Sequence, residues 1–141
     1  MGYPPLFIAY FKQLPMTLTS LRKAVLFSLW DAQKPLKAYD ILDYLVKIKP
    51  NMTAATVYRA LDFFMSTGLL HKIESIQSYT LCSAPDKHLP SEMLMVCHAC
   101  HQVIEVYDAN LCELLRKLAL NSTFQLSQDV IELKGLCIHC H

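Results

Sequence analysis

Long apolar segments are missing from this sequence. Uninterrupted apolar runs, such as Ala24–Phe27, are far shorter than the roughly 20 residues that span a bilayer. No charged segment followed by an apolar one opens the chain, which is how a secretory signal would start. We therefore expect a soluble cytoplasmic protein that has no membrane partner.

Glycine is scarce, and the pairings that carry catalysis are missing too. The three glycines are isolated, so no glycine-rich loop that could bind a phosphate is present. No side chain that could act as a nucleophile is accompanied by an evident base. Repeats and low-complexity tracts are also absent. We therefore expect the protein not to be an enzyme.

Cysteine, in contrast, is plentiful, with six residues in 141. Thiols stay reduced in the cytoplasm, so six cysteines in a protein of that compartment argue for a bound metal and not for disulfides. Roughly half of the residues are apolar, which is enough for a packed core and argues against a disordered chain.

Charge is distributed unevenly along the chain. Residues 1–82 carry nine Lys/Arg and five Asp/Glu, whereas residues 83–141 carry four Lys/Arg and seven Asp/Glu. A basic half is typical of a surface that binds a polyanion such as DNA. An excess of four positive charges is also common on ordinary solvated faces, so the charge supports this interpretation only together with other features.

The first half predicts helices followed by a hairpin. Helices are expected over Leu6–Leu14, from a cap at Thr19 or Ser20 to Gln33, over Tyr39–Ile48, and from a cap at Asn51 or Thr53 to Gly68. In the third helix we expect Ile41, Leu45 and Ile48 to face inward. Two short strands, 69–74 and 78–82, follow. This order is typical of a winged helix-turn-helix, whose penultimate helix enters the DNA major groove; a small helical domain with a hairpin is the alternative.

The second half predicts a small α/β unit. Strands are expected at 92–96 and 103–107, a helix capped by Asp108 over 109–120, and an extended segment over 124–136. We therefore predict an α+β protein with three parts: a winged-helix domain at 1–82, a hinge at 83–91 and a dimerisation domain at 92–141. About 50 residues are too few to fold easily without a metal or a partner subunit.

Two Cys-x-x-Cys pairs in the second half predict a metal site. Cys97 and Cys100 form the first pair, and Cys137 and Cys140 form the second. Four thiolates in two tight turns suit tetrahedral Zn²⁺. A redox motif is the alternative for one pair, but it requires a βαβ setting. A mixed shell is a further alternative, since His98, His101, His139 and His141 lie beside the cysteines. Cys112, on the expected helix, is not expected to be a ligand.

A second metal site is a weaker hypothesis from the residues alone. Four residues lie where the two predicted domains would fold back toward each other around the expected hinge: His71, Cys82, His88 and Glu105. Each also has an ordinary explanation, because a histidine can sit exposed on a strand and a glutamate on a solvated face. Spacing alone does not choose between these interpretations.

Three motifs in this chain point to a known family. They are the segment 56–64 (TVYRALDFF), the segment 68–75 (GLLHKIES) and the segment 78–82 (SYTLC). Together they resemble the ferric uptake regulator family, and most closely its zinc uptake regulator branch. The similarity extends from about residue 18 to residue 141 and includes both cysteine pairs. It implies a metal-dependent repressor that forms a homodimer, with an N-terminal winged helix and a C-terminal α/β dimerisation domain.

The resemblance also implies roles for individual residues. Cys97, Cys100, Cys137 and Cys140 match the family's structural zinc site, and His71, Cys82, His88 and Glu105 match its regulatory site, which gives two Zn²⁺ per chain. Tyr39 and Arg59 match positions that contact DNA bases. Together with them, Thr56, Tyr58 and the wing residue Lys72 complete the expected DNA contacts.

The sequence also departs from the family pattern in ways that bear on the metal. The histidine-rich run of the iron-sensing members is missing between Cys82 and Cys97, which favours zinc, as does a shell that contains a thiolate. The loop before Cys97, which contains His88, is arranged differently from that of the zinc uptake regulators. His101 replaces the glycine that usually follows the second cysteine.

We therefore predict a repressor that binds a palindromic double-stranded DNA operator as a zinc-loaded homodimer and represses zinc-uptake genes. The alternatives are a regulator of the same family that senses another metal or peroxide, and a zinc-stabilised interaction module that does not bind DNA.

Overall fold

A computed structural model describes residues 2–82, 93–126 and 131–141. The expected hinge, including His88, therefore lies outside the described residues. Four helices are followed by a two-stranded hairpin, and then by a three-stranded sheet whose last two strands are connected through a fifth helix. This arrangement confirms the predicted α+β fold. No helix in the described ranges is both long and apolar enough to span a bilayer.

The four N-terminal helices begin and end close to the predicted positions. They are α1 (Pro5–Lys12), α2 (Ser20–Ala32), α3 (Ala38–Val46) and α4 (Ala54–Ser66). The hydroxyl of Thr19 caps α2 by accepting the Arg22 N–H at 3.2 Å. The hydroxyl of Thr53 caps α4 by accepting the Thr56 N–H at 3.3 Å. These side chains satisfy amides that have no partner within the helix.

One prediction for α3 is wrong. Ile48 was expected on the inward face together with Ile41 and Leu45, but it is 55% exposed. The helix ends at Val46, so Ile48 lies beyond the last helical turn and no longer follows the helical period. Ile41 and Leu45 are buried as predicted.

A single apolar core holds α1–α4 together and reaches into the hairpin. Its fully buried members include Phe7, Val25, Ile41, Leu61 and Phe64, and it extends to Leu69, Leu70 and Tyr79 at the start of the hairpin strands. Burial of one such large side chain contributes roughly 1.5–3 kcal/mol. The N-terminal elements therefore have a core of their own.

The hairpin, or wing, consists of β1 (Leu70–Ile73) and β2 (Ser78–Leu81), joined by a 3-10 turn at Glu74–Ile76. The strands are antiparallel, with His71 opposite Thr80 and Ile73 opposite Ser78. Gly68, at φ 81°, lies between α4 and β1, in a conformation that favours glycine. An isolated bridge between Leu36 and Tyr79 ties the wing to the segment between α2 and α3.

The C-terminal elements form a second sheet. They are β3 (Met93–Cys97), β4 (Val103–Val106), α5 (Ala109–Asn121) and β5 (Ile131–Gly135). The strand order is β4-β3-β5; β4 is antiparallel to β3, and β5 is parallel to it. The Asp108 carboxylate caps α5 by accepting the Leu111 N–H at 3.0 Å. Not one residue of Ala109–Asn121, a stretch described throughout, is buried.

Candidate metal centres

The four paired cysteines lie together at one edge of the second sheet. Cys97 is the last residue of β3, and Cys137 follows β5 by two residues. Because β3 and β5 are adjacent and parallel, their carboxyl ends meet at the same edge, and so do the two Cys-x-x-Cys turns. The four sulfurs all lie within 4.8 Å of one another, and the sulfurs of Cys100 and Cys137 are 3.7 Å apart.

The two turns at this edge are held by backbone hydrogen bonds. The His98 N–H donates to the Gly135 carbonyl at 2.9 Å, which ties the first turn to the end of β5. The Cys140 N–H donates to the Cys137 carbonyl, also at 2.9 Å. His101, which replaces the expected glycine, adopts φ 64°, so the first turn keeps a left-handed conformation. This conformation costs a non-glycine residue about 1–2 kcal/mol.

Hydrogen bonding shifts the thiol pKa values of Cys97 and Cys140 in opposite directions. The pKa of Cys97 is lowered to about 5, chiefly because the Cys100 backbone N–H donates to its sulfur, with a further contribution from the Cys137 backbone. The pKa of Cys140 is raised to about 12, chiefly by its hydrogen bond with the Cys137 side chain and then by that with Cys97. The sulfurs are thus close enough to interact with one another, and a divalent cation bound among them would take the place of the thiol protons.

The donor set fits structural zinc, which takes four thiolates in tetrahedral geometry. The four neighbouring histidines, His98, His101, His139 and His141, are exposed. None of these four, all of which are described, joins the sulfur cluster. The Nδ1 atom of His141 instead lies 2.7 Å from the Cys137 carbonyl oxygen. Cys112, on α5, also lies outside the cluster. The geometry therefore favours four sulfurs over a mixed shell.

A second cluster joins the wing to the second sheet. His71 on β1, Cys82 just after β2 and Glu105 on β4 place one ligand atom each within 4.8 Å of the others. His71 Nε2 lies 3.8 Å from Glu105 Oε1, and the Cys82 sulfur lies 4.0 Å from Glu105 Oε2. His71 and Cys82 are buried. The structure thus brings together three of the four residues that were expected at the regulatory site.

Nitrogen, sulfur and oxygen donors that converge in this way suit zinc, which accepts all three. A thiolate in the shell is less suited to the harder cations magnesium, calcium and manganese. The fourth expected ligand, His88, is outside the described residues. That the cluster binds zinc stays a prediction, as it does for the four-cysteine cluster.

Two residues that the sequence analysis did not single out lie close to this junction. Burial raises the pKa of Tyr10 on α1, and the negative charge of the Cys82 thiolate raises it further, so α1 reaches the neighbourhood of the second cluster. Glu132 on β5 accepts a hydrogen bond from the wing. Neither residue belongs to a motif, and the contact of Glu132 spans 57 positions, so no local signal could have found them.

The residues expected to contact DNA lie on α4, on the wing and at the start of α3. Tyr39 is 63% and Tyr58 41% exposed, and Arg59 is also exposed. The Arg59 Nε atom donates to the Ala55 carbonyl one turn earlier, at 3.4 Å. The Thr56 hydroxyl lies 2.9 Å from that of Thr53, so it is occupied at the helix cap. Lys72 Nζ lies 3.6 Å from Glu74 Oε2.

Comparisons with known proteins agree on one family and one fold. The model of the ferric uptake regulator family matches residues 13–134. The zinc uptake regulation protein of Escherichia coli (strain K12) is 38% identical over 126 residues, which cover 89% of this chain and 71% of the relative. A solved zinc uptake regulator complexed with zinc and DNA superposes with a TM-score of 0.84 at 34% identity, over 95% of this chain and 91% of that one.

Two solved forms of another regulator, XcZur, differ in how well they match. The holo form superposes with a TM-score of 0.79, over 95% of each chain. The apo form superposes with a TM-score of 0.53, over 96% of this chain and 95% of that one. Sequence identity is 33% in both comparisons, so the two TM-scores differ although the match in sequence is equal. The present structure is more similar to the holo form than to the apo form.

Proposed function

Because this chain belongs to the ferric uptake regulator family, we propose that it is a zinc-responsive transcriptional repressor. It binds a palindromic operator as a zinc-loaded homodimer in the cytoplasm and represses zinc-uptake genes. The observation that carries this proposal is the cluster of His71, Cys82 and Glu105. Its ligand atoms come from two separate sheets, so they converge only when the wing lies against the second sheet.

In this proposal each of the three parts of the chain has its own role. Residues 1–82 form the DNA-binding domain, 83–91 the hinge and 92–141 the dimerisation domain. His71 and Cys82 belong to the first and Glu105 to the last. We call the arrangement in which the wing lies against the second sheet the closed arrangement. A metal can bind all three ligands only in this arrangement, so metal binding stabilises it. The greater similarity to the holo form of XcZur than to its apo form supports the closed arrangement as the metal-loaded one.

Zinc is favoured over other metals by the donor set. The cluster offers an imidazole nitrogen, a thiolate sulfur and a carboxylate oxygen, with His88 as the proposed fourth ligand. The relative from E. coli and the solved complex with zinc and DNA support the same metal. Cys97, Cys100, Cys137 and Cys140 hold a second, structural zinc, which gives two ions per chain.

Binding to DNA is assigned to the exposed face of α4 and its surroundings. Arg59 and Tyr58 project from α4, and Tyr39 from the start of α3, all with exposed side chains. Arginine recognises guanine edges in the major groove, whereas a wing lysine such as Lys72 contacts phosphates. Thr56, in the first turn of α4, completes the proposed DNA contacts; its N–H and its hydroxyl both lie against the capping hydroxyl of Thr53.

Formation of a homodimer is supported by an apolar surface that the described chain does not cover. Met95, Ile104 and Leu133 form one row across the second sheet, and each is more than 40% exposed. A groove of about 180 Å³ lies at this row and continues to Cys97 and Cys137. On α5, Leu111, Leu114 and Leu118 are exposed as well. A second copy of the chain would cover these surfaces.

The switch then follows from the geometry of paired half-sites. Two DNA-binding domains must present their α4 helices about one helical turn of DNA apart, ~34 Å. To move such a population from mostly unsuitable to mostly suitable requires a differential affinity of about 10⁴-fold. His71, Cys82 and Glu105 can provide it because Glu105 meets the other two only when the wing lies against the second sheet.

The decisive experiment counts metal, determines mass and measures operator affinity on the same samples. Wild type should hold two zinc ions per chain, and chelation should remove one first, together with operator binding. Cys82→Ser and His71→Ala should remain folded dimers that hold one zinc ion per chain. They should fail to bind operator at zinc concentrations that saturate wild type.

Matched controls separate loss of this site from loss of any thiol or imidazole. Cys112→Ser removes a thiol outside both clusters, and His98→Ala removes an exposed histidine outside them. Both should keep two zinc ions and normal operator binding. If Cys82→Ser and His71→Ala bind operator as wild type does, this cluster is not the switch.

A further inference from the structure

Three residues form a transverse row across the second sheet, on the face that meets the wing. Leu94, on the central strand β3, is paired with Glu105 on β4 and with Glu132 on β5. Residues that are paired across neighbouring strands point to the same face. The row therefore presents a carboxylate, an apolar side chain and a second carboxylate, in that order, across about two strand spacings, or ~9.6 Å.

The wing contacts this row at three successive points. His71 Nε2 lies 3.8 Å from Glu105, and the buried Ile73 packs in one apolar cluster with Leu94. The Ser75 N–H, in the turn after β1, lies 3.2 Å and 3.4 Å from the two Glu132 carboxylate oxygens. Every second residue of this stretch therefore contacts the next member of the row. His71 contacts Glu105, Ile73 contacts Leu94, and Ser75 contacts Glu132.

Apolar packing between the wing and the sheet extends beyond the row. Ile73 and Ile76 from the wing share a cluster with Leu94, Val96 and Val103 from the sheet, and Ile73, Leu94 and Val96 are almost completely buried. None of these contacts needs a metal ligand. The wing is thus attached to the sheet by a metal-dependent end at Glu105, and by an apolar centre and a second end at Glu132 that depend on no metal.

From this register we propose that Glu132 is a second anchor of the wing, a positioning residue that sets how much zinc is needed for operator binding. The inference rests on the proposed function, because it assigns Glu132 a part in the same switch. Two contacts at opposite ends of the row restrain rotation of the wing on the sheet, which a contact at one end does not. The carboxylate of Glu132 therefore stabilises the closed arrangement in which His71, Cys82 and Glu105 meet.

The effect of Glu132 should be moderate. Hydrogen bonds to a charged group are stronger than those between neutral groups, but this one is exposed and water competes for both partners. Loss of the bond makes the closed arrangement less populated, and the apparent zinc affinity falls in proportion. We expect Glu132→Ala to raise the zinc concentration for half-maximal operator binding by roughly three- to tenfold.

The test compares two substitutions of Glu132 with a matched control in the full-length dimer. Glu132→Ala removes the acceptor, whereas Glu132→Gln keeps an amide oxygen that can still accept the Ser75 N–H and should recover most of the wild-type zinc response. Glu113→Ala, which removes a 52% exposed carboxylate on α5, should respond to zinc as wild type does. All four proteins should still hold two zinc ions per chain at saturation.

A second readout does not depend on DNA. Amide hydrogen exchange at Ser75 should become faster in Glu132→Ala than in wild type, and Glu132→Gln should fall between them. An unchanged zinc response in Glu132→Ala would overturn the proposal, and unchanged exchange at Ser75 would show that Glu132 does not anchor the wing. If wild type itself fails to bind operator with zinc, the proposed function fails, whereas the exchange at Ser75 still decides whether Glu132 anchors the wing.

Discussion

The two parts of this chain bury very different amounts of apolar surface. Residues 2–82 enclose a continuous core that runs from Phe7 to Tyr79. After position 92, in contrast, only Met93, Leu94, Val96 and Cys97 are buried among the described residues, and α5 contributes none. The first part can be stabilised by its own side chains. The second part depends on something beyond its own apolar packing, and the two candidates are the four-cysteine cluster and a second copy of the chain.

The same contrast explains where a switch can be placed. In the proposed switch, the part with its own core moves as a rigid body, and the part that the proposed metal and partner subunit would hold in place supports it. Among the described residues, the contacts between the two include those of His71 and Cys82 with Glu105, that of Ser75 with Glu132, and the apolar cluster around Ile73 and Leu94. A ligand set at this interface can control whether the two parts stay together, because its ligands come from both of them.

The largest expected effect comes from removal of the structural site. Structural zinc in small domains has an apparent binding free energy on the order of 10–16 kcal/mol, which exceeds the usual net stability of a domain. Cys97→Ser or Cys140→Ser should therefore give monomeric or aggregated protein whatever zinc is added. Amides of α2–α4 should nevertheless stay protected from hydrogen exchange, since their core is separate.

Gel filtration and hydrogen exchange on the same variants check this prediction. Cys112→Ser is the control, because it removes a thiol outside the cluster and should leave the dimer intact. A dimeric Cys97→Ser protein with normal DNA binding would contradict the structural assignment. Loss of protection in α2–α4 would instead contradict the independence of the first part.

The second-largest expected effect is on formation of the homodimer. Leu114 on α5 is 54% exposed in the single chain, and in the proposed dimer it is covered. Leu114→Asp places a charge in an apolar interface, and we expect the dissociation constant of the dimer to rise about 100-fold, equivalent to ~2.8 kcal/mol. Analytical ultracentrifugation measures it.

Leu120→Asp provides the control on the same helix. Leu120 is 69% exposed and lies about half a turn away from Leu111, since each helical residue advances ~100°. This variant should dimerise nearly as well as wild type. Equal weakening by both substitutions would show that the apolar stripe of α5 does not face the partner.

Local signals predict the first part well and the contact between the parts poorly. Polar residues ahead of apolar periods predicted caps at Thr19 or Ser20, at Asn51 or Thr53, and at Asp108. In the structure Thr19, Thr53 and Asp108 each accept an N–H group from the first turn of their helix. Glu132 carries no such signal. Its role depends on the register of β5 beside β3 and on a partner in the wing, so only the folded chain could identify it.

A smaller effect is expected for recognition of DNA by the first part. An arginine that contacts guanine contributes roughly 1–3 kcal/mol of discrimination between bases. Arg59→Ala should therefore reduce the preference for operator over random DNA and leave dimer mass and zinc content unchanged. Competition binding at two salt concentrations measures the preference. Full operator preference in Arg59→Ala would remove this residue from base recognition.

The smallest effect is expected at Lys72, whose neighbours on β1 face the sheet. Strand side chains alternate, so Lys72 projects to the other side of the wing from His71 and Ile73. Lys72→Ala should weaken binding to all DNA sequences alike and reduce the slope of log affinity against log salt by about one.

In the free protein Glu74 lies 3.6 Å from the Lys72 ammonium group, so a DNA phosphate has to compete with that carboxylate. Glu74→Gln should consequently strengthen binding to all sequences, and Lys72→Ala combined with it should cancel most of that gain. If Lys72→Ala instead changes operator preference while the salt slope stays constant, Lys72 contacts bases and the wing enters a groove.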